Sequence, residues 1–76
     1  MTKQPVTTVD LGINHTIIKL PEVMRVTGLS RSSVYRLARL GKFPAPLKLS
    51  ERSIGWRSSD VKEWVDSRPV ADLAEL

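Results

Sequence analysis

Arg31, Ser32, Tyr35, Arg36 and Arg39 fall largely on one side of a short stretch whose other side carries Val34, Leu37, Ala38 and then Leu40. Such a set can recognise a polyanion. An arginine fork matches guanine O6 and N7, and serine reaches a base or a phosphate. Tyr35 offers a hydroxyl and a ring face for a thymine methyl or a sugar; its other reading is a half-buried core ring. Ser30 precedes the run as a helix N-cap, and the free N–H groups of that first turn can also bind a phosphate. Ser30 and Ser33 therefore join the candidate contacts. Gly41 supplies the stop, so the spacing predicts a helix over 31–40.

A second helix must position this one. Leu20, Val23, Met24 and Thr27 recur at spacings of three and four. Pro21 suits the first helical position, Glu22 favours the positive helix end, and Gly28 can take the left-handed conformation that ends a helix. A helix over 21–27 follows, with Leu29 plugging the turn. Two short helices around a glycine turn, the second one basic, fit a helix-turn-helix. A plain helical hairpin would show the same apolar spacing. It would not account for a second helix with three Arg, one Tyr and no acid, because solvated faces usually mix signs.

Downstream, Phe43-Pro44-Ala45-Pro46 forces an extended path. Leu47-Lys48-Leu49-Ser50 and Ile54-Gly55-Trp56-Arg57 alternate apolar and polar residues around Glu51-Arg52-Ser53, which reads as a hairpin. Its apolar side is expected to carry Leu47, Leu49, Ile54 and Trp56. As a wing, it would aim Arg52 at a minor groove and Lys48 at the backbone; as a plain cover, it would only close the core. Arg39 and Lys42 suit phosphates. Ser58 or Ser59 is expected to cap a third helix with Asp60 in its first turn, Val61, Trp64 and Val65 inward, and Pro69 ending it. Trp56 and Trp64 read as core, with base stacking on single strands as the alternative. Thr16-Ile17-Ile18-Lys19-Leu20 reads as a short strand or extended lead-in. Residues 70–76 read as a short helical extension or a tail, and 1–14 as a frayed tail. The fold expected is mainly α with a small β hairpin, a winged helix-turn-helix of three helices plus wing over 15–68.

Charge agrees. The 76 residues carry a net charge of +4. From residue 25 to 57 stand Arg25, Arg31, Arg36, Arg39, Lys42, Lys48, Arg52 and Arg57, against Glu51 alone. A basic centre attracts polyanions, of which nucleic acid is the commonest. Enzyme chemistry has no foothold. His15 is the single histidine and there is no cysteine, so no thiolate or His cluster can hold a metal. Ser32 and Ser33 lack a histidine neighbour, and no glycine loop cradles a phosphate. No cofactor is expected. Without a signal segment or an apolar run of about 20 residues, a cytoplasmic protein is expected, and without a heptad, a monomer.

The runs Leu20-Pro21-Glu22-Val23, Thr27-Gly28-Leu29-Ser30-Arg31-Ser32-Ser33-Val34-Tyr35-Arg36, Gly41-Lys42-Phe43-Pro44-Ala45-Pro46-Leu47-Lys48-Leu49, Gly55-Trp56-Arg57 and Asp60-Val61-Lys62-Glu63-Trp64 resemble the AlpA family of phage and prophage regulators. The resemblance spans about residues 17–66. It implies a winged helix-turn-helix like the MerR DNA-binding domain, binding double-stranded promoter or attachment-site DNA. It implies either transcriptional control, typically of integrase genes, or an excisionase role as a recombination directionality factor. Integrase and RNA polymerase are the candidate protein partners, and whether binding is alone, as a dimer or cooperative along DNA repeats stays open. By resemblance, Arg31, Ser32, Tyr35, Arg36 and Arg39 lie on the recognition helix and Lys48 and Arg52 on the wing. Arg57 matches the arginine of the Trp-Arg pair, as a phosphate contact or a support of the fold. The rival reading is a protein-interaction module, antirepressor- or antitoxin-like, on the same fold.

Overall fold

A computed structural model describes residues 16–76. The tail expected over 1–14, and His15, lie outside the described residues. The order is β1 (Ile17–Ile18), α1 (Leu20–Thr27), α2 (Arg31–Arg39), β2 (Leu47–Ser50), β3 (Ser53–Arg57) and α3 (Ser58–Asp66), followed by a 3-10 turn at Leu73–Glu75. The three helices pack with a small antiparallel sheet of order β1-β3-β2, an arrangement compatible with a helix-turn-helix and its wing.

Pro21 and Glu22 occupy the first turn of α1, where no backbone partner is lost and the helix dipole favours an acid. Gly28 closes α1 at φ 77°, its N–H donating to the Met24 carbonyl at 2.8 Å. The Thr27 hydroxyl donates to the Val23 carbonyl at 2.8 Å and accepts from the Leu29 N–H at 3.2 Å, so a side chain sets the turn between the helices. α2 starts on Ser30, whose hydroxyl accepts the Ser33 N–H at 3.2 Å. It ends in two crossed bonds around Gly41 at φ 74°. Gly41 N–H donates to the Ala38 carbonyl at 3.1 Å, and Lys42 N–H to the Leu37 carbonyl at 2.8 Å. This is the left-handed glycine terminator of helices. It places Leu40 at the cap, 59% exposed rather than inward.

The core is Leu20, Val23, Val34, Phe43, Trp56 and Val61. Trp56 is fully buried at its centre. Phe43 meets Trp56 edge-on at 6.4 Å and Trp64 at 4.8 Å, the tilted geometry that aromatic quadrupoles favour.

The hairpin differs from its expected register. Its turn is Glu51-Arg52, and Ser53 already belongs to β3. Leu47 pairs with Gly55, Lys48 with Ile54 and Ser50 with Ser53, leaving Leu49 as an extra residue at an irregular step. Opposed residues share a face. Leu47 therefore lies on the Gly55 face, away from Ile54 and Trp56; a one-residue slip exchanges faces. Leu49 is 42% exposed. A Cβ on Gly55 would meet Ile17 Cγ2 at 2.6 Å, the Ile18 carbonyl at 3.0 Å and Leu49 Cδ1 at 3.2 Å. Gly55 is thus the slot over which Ile17 and Leu49 close. The lead-in is a true strand, with Ile18 opposite Trp56 and Ile17 opposite Arg57.

α3 takes its cap from neither serine. β3 runs into it without a loop, Arg57 stands at the cap without a side-chain bond, and Ser58 N–H donates to the Thr16 carbonyl at 2.7 Å. The helix ends at Asp66, before Pro69, because the Ser67 hydroxyl and Arg68 Nε both take the Trp64 carbonyl, at 2.9 and 3.0 Å. Val61 is buried, whereas Val65 sits at the exposed rim. Residues 67–76 are exposed throughout.

Candidate nucleic-acid interface

With 3.6 residues per turn, Ser32, Tyr35, Arg36 and Arg39 share roughly a third of the circumference of α2. Val34 is buried on the opposite side, and Leu37 and Ala38 pack against the core there. Ser32, Arg36 and Arg39 are exposed. Tyr35 is the half-buried ring of one of its two sequence readings, packed against the core. Its half-buried ring leans on Trp56 with centroids 6.5 Å apart, and the Arg31 guanidinium stacks over it at 5.8 Å. That contact orients Arg31 and ties the first turn of α2 to the core.

The serines form a linked cluster. The Ser30 hydroxyl donates to that of Ser33 at 2.9 Å and lies 3.4 Å from that of Ser32. Ser30 and Ser33 thus serve the cap itself, while Ser32 stands on the outer face. Both helix ends are fixed, so the exposed side chains ride on a rigid element.

The ion pairs sort the cations. Among the described residues, Arg25 pairs with Glu22, Arg57 with Asp60 at 3.6 Å and Lys62 with Asp66 at 2.7 Å. These pairs lie on α1 and α3 or at their junction with β3. The hydrogen bond from Arg25 holds the Glu22 carboxyl below its usual pKa. Arg31, Arg36, Arg39, Lys42, Lys48 and Arg52 have no carboxylate within ion-pair distance among the described residues. Their charge is uncompensated, as a polyanion site requires.

Arg52 sits in the β2–β3 turn and Lys48 on β2, both exposed. Among the described residues no hydrogen bond joins them to α2, so the hairpin is a separate basic element. Arg57 ends β3 and, unlike Lys48 and Arg52, has a carboxylate partner, Asp60. Lys42 follows the Gly41 turn with its side chain free and its carbonyl held by Trp64 Nε1 at 2.7 Å. That bond escaped the sequence reading, which placed Trp64 in the core; nothing local links positions 42 and 64. Lys19 was missed as well. Its ammonium donates to the Ser53 hydroxyl at 3.1 Å and ties the start of α1 to the β2–β3 hairpin.

Among the described residues there is no cluster of three His, Cys, Asp or Glu side chains, and no helix is long and apolar enough to cross a membrane. An apolar groove lies between α1 and α3, lined by Ile18, Val26, Val61 and Val65 together with the ion-paired Glu22 and Lys62.

Two curated proteins are similar to this chain. An uncharacterized protein, ORF88, of Enterobacteria phage P4 is 41% identical over 51 residues, covering 67% of this chain. The match spans 58% of that phage protein's length. The DNA-binding transcriptional activator AlpA of Escherichia coli is 31% identical over 58 residues, covering 68% of this chain and 83% of that protein. Residues 16–69 match the family described as prophage CP4-57 regulatory protein (AlpA), a stretch that begins beside β1 and takes in every helix and strand just described. The chain belongs to the AlpA family of prophage regulatory proteins.

Proposed function

We propose that this protein is a sequence-specific double-stranded DNA-binding regulator of a prophage or integrative element. In this reading residues 15–68 form a MerR-like winged helix-turn-helix. α2 enters the major groove and the β2–β3 hairpin follows the backbone as a wing. The observation that carries it is the outer face of α2. Arg36 and Arg39 stand there without an acid, on a helix capped by Ser30 and closed at Gly41, while the ion pairs lie on other elements. The name of the Escherichia coli relative, a DNA-binding transcriptional activator, supports the same reading.

Arg31, Ser32, Tyr35 and Arg36 then face base edges, and Arg39, Lys42, Lys48 and Arg52 face phosphates or the minor groove. Ser30 and Ser33 present the first turn of α2 to a phosphate. Arg57 contributes only where a phosphate displaces Asp60. The protein acts as a cytoplasmic monomer without catalysis or cofactor, controls integrase or excision genes or serves as an excisionase, and meets integrase or RNA polymerase on the DNA.

Selection of bound duplexes from a random pool, followed by footprinting on the upstream and attachment-site DNA, tests the reading. Enrichment of one motif and protection of a matching genomic site are expected. A pool that stays random through successive rounds would overturn it. A promoter reporter and an excision assay with the element's integrase separate regulator from excisionase.

The apolar groove between α1 and α3 favours a second reading, the protein-interaction module. It predicts retained partner binding and only non-specific DNA affinity in the same selection.

A further inference from the structure

Past the Gly41 turn, Lys42, Phe43 and Pro44 form one wall of an open hollow whose other wall is Trp64 and Arg68. The hollow is built from several fixed contacts. Trp64 Nε1 donates to the Lys42 carbonyl at 2.7 Å, and its ring meets Phe43 edge-on. The Arg68 guanidinium lies over the same indole, 4.1 Å from its centre. Arg68 Nε donates to the Trp64 carbonyl at 3.0 Å and Nη2 to the Ser67 hydroxyl at 3.2 Å. Both acceptors are neutral. Asp66, the nearest acid in sequence, is taken by Lys62. Arg68 therefore keeps its full charge, and its orientation is set before any ligand arrives, which lowers the ordering cost of binding. Lys42 lines the same hollow with no carboxylate partner among the described residues.

We propose that this hollow is a phosphodiester-binding site, with Arg68 and Lys42 as its cations and Trp64 as the residue that positions both. The proposal rests on the DNA-binding reading. It extends the contact surface from the end of α2 to the end of α3, onto an arginine that lies outside the basic centre of the sequence. A backbone phosphate beside the major groove entered by α2 is the ligand.

The test is the salt dependence of binding to a labelled mixed-sequence duplex, read by fluorescence anisotropy. The proteins compared are wild type, Arg68→Gln, Arg68→Lys and Lys42→Gln. Glutamine keeps a planar amide over Trp64 without charge, and lysine keeps the charge without the fork. Arg68→Gln and Lys42→Gln are each expected to reduce the steepness of log affinity against log salt by about 0.9. Arg68→Lys is expected to keep the wild-type slope. An unchanged slope in Arg68→Gln, or equal losses in the Gln and Lys variants, would overturn this site and leave the DNA reading standing. Failure of the wild-type protein to bind the duplex would overturn both.

Discussion

Trp56 Nε1 donates to the Pro44 carbonyl across 2.8 Å, joining the centre of β3 to the extended segment that leaves α2. The bond satisfies a buried donor and fixes the spacing between the helix pair and the β2–β3 hairpin. Trp56→Phe keeps an aromatic ring but removes part of its volume and orphans that carbonyl. It is expected to destabilise by roughly 1–3 kcal/mol, and Trp56→Ala by about 3–5 kcal/mol. Urea unfolding followed by circular dichroism measures both. Equal stability of wild type and Trp56→Phe would remove the hydrogen bond from the account.

Arg36→Ala should relax the preference at one base pair and weaken specific binding by roughly 1–3 kcal/mol. Arg52→Ala should weaken binding evenly across sequences. If about five cations meet phosphates, log affinity should fall with log salt at a slope of about −4 to −5. Competition gel shifts with single-base operator variants separate the two residues, and a flat salt response would contradict the electrostatic picture.

Ser30 allows stability and binding to be pulled apart. Ser30→Ala should lose about 0.5–2 kcal/mol of stability with the cap. Ser30→Asp keeps a capping oxygen and adds a charge that the helix end favours. It should unfold like the wild type and bind duplex DNA more weakly, because the new carboxylate faces the backbone. Paired thermal melts and titrations read the two effects independently.

Gly55→Ala pushes a methyl to within 2.6 Å of Ile17 Cγ2 and 3.0 Å of the Ile18 carbonyl. The overpacking is expected to cost about 1–3 kcal/mol and to loosen β1 from β3. Loss of amide-exchange protection at Ile18 and Trp56 would report it. Relief by the double variant with Ile17→Ala would identify Ile17 as the clash.

Local chemistry made α2 readable. Its cap, its stop and its apolar stripe all lie between Ser30 and Gly41, so no distant contact was needed to find it. The β2–β3 segment was readable as a hairpin but not in register. Alternation alone permits either face, and the choice depends on the shorter Glu51-Arg52 turn and on Gly55 fitting beneath Ile17, a residue remote in sequence. The start of α3 failed for a similar reason, since the Thr16 carbonyl replaces the serine cap. For the site, the exposed residues of α2 were legible from residue type and spacing. Which cations stay unpaired was not, because it depends on where Glu22, Asp60 and Asp66 find their partners.

Tyr35 leans on Trp56 with one side and carries Arg31 on the other. Under the proposed DNA-binding reading, position 35 is therefore a shared vertex of the stability landscape and the specificity landscape. In that reading a substitution there that retargets the protein to new DNA will also shift its melting temperature. Evolution of new sites would then run first through positions 32, 36 and 39, whose exposed side chains can change without disturbing what holds the molecule together.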